Sequence, residues 1–131
     1  MDKLISISDT LNVVKNVCKT TKEIFAPICL KNLGVEKNLN HLQIFNSGEN
    51  LVRDVKIRIL GLPENDCWWE HPNNSDKQEL IIPYIEPHHY AEQELMFSWF
   101  EDAEVQFQIT WEDWLGIKHS DTTCLLLEGQ C

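Results

Sequence analysis

Apolar and polar residues alternate strictly along two stretches of this chain. In the first, Val55, Ile57 and Ile59 are separated by Lys56 and Arg58. In the second, Val105, Phe107, Ile109 and Trp111 are separated by Gln106, Gln108 and Thr110. A period of two belongs to strands with one face in a core and the other in water. Similar patterns predict seven strands, near residues 27–32, 40–46, 53–61, 79–86, 91–99, 104–112 and 117–127. Turn chemistry separates them: Asn46-Ser47-Gly48, Gly61-Leu62-Pro63, Pro72-Asn73-Asn74, Glu86-Pro87 and Gly116. Pro83 removes one ladder donor from its strand, which places that strand at a sheet edge.

Residues 4–25 read differently. Leu4, Ile7, Leu11, Val14, Cys18, Thr21 and Phe25 recur every three or four positions, one stripe of a helix that Pro27 ends. That stripe packs on the domain's own sheet or forms a seam with a second copy, a route to a homodimer. The fold expected is all-β with an N-terminal helix: a two-sheet antiparallel β-sandwich of immunoglobulin type with about seven strands. A chain of 131 residues makes this a single domain, with the helix at 4–25 and the sandwich at 27–127.

The order of a strand, Asn46-x-Gly48, the strand of Val55, Ile57 and Ile59, a turn at Pro87, then Phe107-x-Ile109-x-Trp111-x-Asp113-x-x-Gly116 resembles a known group. It is similar to small immunoglobulin-like or fibronectin-like β-sandwich domains of uncharacterised bacterial proteins. The resemblance spans about residues 27–127 and rests on folding motifs. It implies a fold and a non-enzymatic default, and it carries no functional residue across.

Charge alters this picture. The net charge is −10, unevenly placed. Residues 1–61 hold nine Lys/Arg against six Asp/Glu, whereas residues 62–131 hold two against fifteen. All five tryptophans lie in the acidic half. Direct binding of nucleic acid by that half is electrostatically opposed, and a basic protein partner is attracted to it. No apolar run is long enough to cross a bilayer, and the N-terminus lacks the pattern of an export signal. Five scattered cysteines then fit a cytoplasmic location, with Cys29 and Cys124 expected as two packed thiols.

Candidate chemistry is sparse. Cys67 and His71, near Asp66 and Glu70, with His88 and His89 later, are potential zinc ligands, but no recognised ligand spacing occurs. No metal site, cofactor or catalytic residue is therefore expected. Glycines are isolated, without a nucleophile elbow or a phosphate-cradling loop. The connection 62–78 is long, and it carries Trp68, Trp69, Glu70 and His71. Adjacent tryptophans in extended chain face opposite ways, so at least one is expected at the surface. Glu101 and Asp102 cluster in a predicted turn, and Trp114 falls off the inward register. Trp68, Trp69, Glu70, His71, Glu101, Asp102 and Trp114 are thus the candidate binding residues, with Trp69 and Trp114 candidates for one shared patch. The expected function is a non-catalytic cytoplasmic module that binds a basic protein. An acidic inhibitor imitating nucleic acid, of phage or mobile-element type, is the alternative, and a small zinc protein is the third reading.

Overall fold

The computed structural model describes residues 27–70, 72 and 75–130. The helix expected over residues 4–25, and any dimer seam on it, lies outside these residues, as does His71. Eight strands are present: β1 (Ile28–Glu36), β2 (Leu39–Asn46), β3 (Val52–Leu60), β4 (Cys67–Trp69), β5 (Glu79–Ile85), β6 (Tyr90–Phe97), β7 (Ala103–Glu112) and β8 (Lys118–Leu127). They form two four-stranded antiparallel sheets, ordered β1-β2-β6-β4 and β5-β3-β7-β8. The triplets β1-β2-β6 and β8-β7-β3 correspond to strands A-B-E and G-F-C of an immunoglobulin sandwich.

The eighth strand corrects the expectation that 62–78 is all loop. Cys67-Trp68-Trp69 pairs with Phe97-Met96-Leu95 at the edge of the first sheet. Its start is set by the Asp66 and Cys67 amides donating to the Pro63 carbonyl at 3.0 and 3.2 Å. Three residues are too few for period two to register in the sequence. Strand β6 ends at Phe97 instead of Trp99, with one further bond from the Ser98 amide to the Asp66 carbonyl at 2.9 Å. Strands β1 and β2 run on to Glu36 and Leu39 and meet in a two-residue turn. Lys37 (φ 55°) and Asn38 (φ 68°) both take the left-handed conformation that tight hairpins require.

The alternating positions fill the space between the sheets. Ile57, Ile59, Phe107, Ile109, Leu42, Ile44, Leu95 and Phe97 are buried there. Burying both Val52 and Val55, three apart, breaks the period. A bulge between Arg53 and Lys56, with Asp54 at φ 48°, absorbs the extra residue and restores the register. Strand β5, which holds Pro83, is indeed a sheet edge.

Two buried asparagines fasten the ends. Asn46 donates from Nδ2 to the Asn50 and Ile85 carbonyls, both at 2.9 Å, and accepts the Gly48 amide at Oδ1. Asn40 accepts the Glu128 amide at 2.9 Å and donates to the Glu128 carbonyl at 3.2 Å. Asn32 links the Asn40 side chain to the Leu126 carbonyl. Strand β1 of one sheet is thereby joined to the end of β8 in the other.

Candidate protein-binding surfaces

The two adjacent tryptophans separate as extended chain requires. Trp69 is fully buried; its ring lies 6.0 Å from that of Phe107, and its Nε1 donates to the Ile57 carbonyl at 3.2 Å. This corrects its candidacy as a binding residue: Trp69 is a core side chain that spans the two sheets. Trp68 points outward and is half-buried, with Nε1 donating to the Glu70 carboxylate at 2.8 Å. Glu70 in turn receives the Gln93 amide at its carbonyl.

Glu101 and Asp102 are exposed in the connection from β6 to β7, beside two aromatics that sequence reasoning passed over. Phe100 is 82% exposed and Trp99 is 42% exposed. This connection is held by the chain that follows β8. The Gly129 amide donates to Asp102 Oδ1 at 2.8 Å, and the Gln130 amide donates to the Trp99 carbonyl at 2.8 Å. Gln130 Nε2 also donates to the Phe97 carbonyl at 3.1 Å. Any Cβ at Gly129 would sit 2.6 Å from the backbone of Phe100 and Glu101, so only glycine permits this approach. Trp99 leans on Phe97, with ring centroids 5.5 Å apart. Phe100 therefore projects from a pinned backbone. The sequence offers one cue: Leu95, Phe97 and Trp99 keep the strand period, whereas Phe100 follows Trp99 directly and falls off it, just before a pair of acids.

Trp114 lies at the other end of β7. Ten residues at about 3.3 Å each put the two ends roughly 30 Å apart, so Trp114 does not join the acidic connection. Nor does it share a patch with Trp69, which is inside the core. Trp114 is 55% exposed, with Leu115 and Ile117 exposed beside it. Asp113 builds this turn by accepting the Leu115 and Ile117 amides at Oδ1, both at 2.9 Å. Gly116, at φ 84°, completes it. His119 Nε2 donates to Asp113 Oδ2 at 2.6 Å, and the His119 ring stacks on buried Trp111 at 5.3 Å. The bond to His119, then those from Ile117 and Leu115, hold the Asp113 carboxyl below the usual carboxylate range.

The potential zinc ligands have separate surroundings. Cys67 is buried, and burial, with a smaller contribution from Asp66, pushes its thiol up to about 12. A protonated thiol is a poor ligand and a poor nucleophile. His88 pairs with Glu49 at 2.9 Å, and His89 Nδ1 donates to the Pro87 carbonyl at 2.9 Å. Among the described residues, no three His, Cys, Asp or Glu side chains gather as a metal site. Cys29 and Cys124 are exposed free thiols in different sheets, not packed ones. Their parity along β1 and β8 turns both outward, since Ile28 and Leu125 take the inward positions.

No family model matches the chain, and no curated protein matches it. Solved structures do. The VesB protease of Vibrio cholerae superposes with a TM-score of 0.50 at 14% identity, over 88% of this chain and 36% of VesB. The PapD-like domain 7 of human CEP192 gives a TM-score of 0.40 at 12% identity, over 79% of this chain and 84% of that domain. The secreted serine protease VesC of Vibrio cholerae gives 0.41 at 10% identity, over 91% of this chain and 26% of VesC. This chain thus spans about a third of the length of VesB. At such identity the likeness to VesB is one of fold, that of an immunoglobulin-like sandwich.

Proposed function

We propose that this protein is a non-catalytic protein-interaction module that docks a basic partner on the connection between β6 and β7. The observation that carries this reading is Phe100, an aromatic side chain 82% exposed on a backbone fastened at both flanks. A large side chain with few rotatable bonds, held by a fixed backbone, loses little conformational entropy on binding. Aromatic anchors of this kind dominate binding energy where they enter a partner's pocket.

Charge supplies the partner's chemistry. Glu101, Asp102 and Glu104 follow Phe100 in the chain, and the sequence has no Lys or Arg between Lys77 and Lys118. A partner with Arg or Lys around a receiving pocket is steered to this end and loses no ion pair of its own on arrival. Trp68 and Glu70 belong to the outer face of the first sheet and would extend the contact if the partner is large.

Imitation of nucleic acid is supported less. It needs carboxylates repeated along one face with little between them. On the outer face of the first sheet, Glu70, Glu92 and Glu94 are interrupted by Phe45, Trp68, Tyr90 and Met96. The outer face of the second sheet mixes Arg53, Lys56, Arg58 and Lys118 with Glu79, Glu104 and Glu112, so its carboxylates do not form an uninterrupted acidic row.

Affinity capture from the native cell with the full chain, compared with Phe100→Ala and with Glu101→Lys, tests the proposal. A basic protein retained by the wild type and lost with both variants is expected, with the thermal melt unchanged. A partner retained equally by all three would overturn it.

A further inference from the structure

The far end of the sandwich carries a second concavity, distinct from the acidic connection. A groove of about 220 Å³ opens between the β2–β3 connection and the β7–β8 turn. Pro27, Leu51, Val52, Trp111, Trp114 and Leu115 form its apolar lining. Glu49 and Asp113 are its carboxylates, and among the described residues no Lys or Arg lines it. Sites for whole small molecules generally run from about 300 to 1,000 Å³, so this volume suits one large side chain better than a cofactor.

Both walls are built. Asp113 fixes the backbone of Leu115 and Ile117, and His119 locks Asp113 from the other side while stacking on Trp111. Asn46 fixes the opposite wall through the Gly48 amide and the Asn50 carbonyl, both at 2.9 Å. Side chains of preformed walls need no reordering when a ligand enters. Trp114 and Leu115 remain exposed at the lip, which leaves apolar surface that a single inserted side chain would cover.

We infer that this groove is a second docking site, which takes one large apolar side chain from a protein segment flanked by Arg or Lys. The apolar lining selects the inserted residue. The carboxylates at the rim, with no Lys or Arg among the described lining residues, select the sign of its neighbours. Glu49 is the adaptable element, since its one described partner is the exposed His88. Asp113 is already committed to the turn and contributes its charge without moving.

The test uses the full chain and a defined probe, the peptide acetyl-Gly-Arg-Leu-Arg-Gly-amide, with a control in which both Arg are Glu. Titration is followed by amide and indole resonances in two-dimensional NMR. Shifts are expected at residues 49–52 and 114–117 and at the Trp114 indole, with none at 98–102. Trp114→Ala should weaken binding by about tenfold or more, as truncation of an anchor does. Glu49→Gln should weaken it less and flatten its salt dependence, while Phe100→Ala should leave it unchanged. Unshifted resonances of the core strands verify that each variant is folded. Equal affinity of Trp114→Ala, equal binding of the Glu control, shifts confined to the Phe100 end, or no shift up to about 5 mM peptide (roughly −3 kcal/mol on the affinity scale) would each overturn the inference.

Discussion

Replacing each of the adjacent tryptophans by alanine separates a core residue from a surface one, and the two costs should differ severalfold. Trp69 is fully enclosed between Leu95 of its own sheet and the Ile57 and Phe107 region of the other. Truncation there leaves a cavity, and such changes cost about 3–5 kcal/mol. The upper part of that range applies, because the Ile57 carbonyl also loses its indole donor. Trp68 keeps part of its surface in water, and its hydrogen bond to Glu70 is replaceable by solvent, so Trp68→Ala should cost about 1 kcal/mol. Urea unfolding reads both. With a slope of about 1.5 kcal/mol per molar urea, Trp69→Ala should lower the midpoint by about 3 M and Trp68→Ala by less than about 1 M. A domain of this size has about 5–15 kcal/mol in total, so Trp69→Ala takes away a large fraction. If it is too unstable to measure, Trp69→Phe, which keeps a ring but leaves a void and loses the indole donor, should still lower the midpoint more than Trp68→Ala. Equal midpoints for the two alanine variants, or a larger loss at Trp68, would refute the assignment of sheet faces.

Further outcomes follow from the same geometry. Gly129→Ala should destabilise by about 1–3 kcal/mol, since the new Cβ meets backbone 2.6 Å away, and hydrogen exchange at residues 99–102 should rise while that of β3 stays fixed. The Asp113 carboxyl is held below its ordinary value, so it stabilises the fold above about pH 4, its unfolded range, and that contribution is lost as pH falls through the native value. The gap in urea midpoint between wild type and Asp113→Asn should therefore be open at pH 6 and narrow as pH falls below about 4; a gap that widens on acidification contradicts the pairing. Cys67, with its thiol near 12, should resist a thiol reagent at pH 8 in the native protein while Cys29 and Cys124 react, as peptide mapping would show.

How far the sequence reveals this molecule depends on how far each feature is local. The inward faces of β3 and β7 were legible because strict alternation over residues 55–59 and 105–111 fixes a period of two. The turn at Asp113–Gly116 was legible from an acid that caps and a glycine that reverses. Strand β4 was not, because it exists through pairing with β6 and has no pattern of its own. For the same reason the pair Trp68-Trp69 showed that one ring must be outside without showing which. Parity within a three-residue strand is assigned by its partner. The prominence of Phe100 depends on Gly129, a residue 29 positions later, closing on the loop from behind. Contacts of that kind leave no trace in local composition. The charge asymmetry was visible in the sequence, but the strand order was needed to show that Arg53, Lys56, Arg58 and Lys118 share the second sheet with Glu79, Glu104 and Glu112.

The central claim, a basic partner anchored on Phe100 and steered by carboxylates, is tested most directly by the salt dependence of binding to a partner captured from the native cell. Association and dissociation rates are measured at several ionic strengths for the wild type, Phe100→Ala and the triple variant Glu101→Gln, Asp102→Asn, Glu104→Gln. The asparagine keeps the acceptor for the Gly129 amide, so the loop stays fastened while its charge is removed. Association of the wild type should slow as salt rises, because opposite charges are screened beyond about 8 Å at physiological ionic strength. The triple variant should associate slowly at every salt concentration, and Phe100→Ala should chiefly dissociate faster, by about tenfold or more. An association rate indifferent to salt and to the triple variant, with dissociation unchanged by Phe100→Ala, would contradict the account.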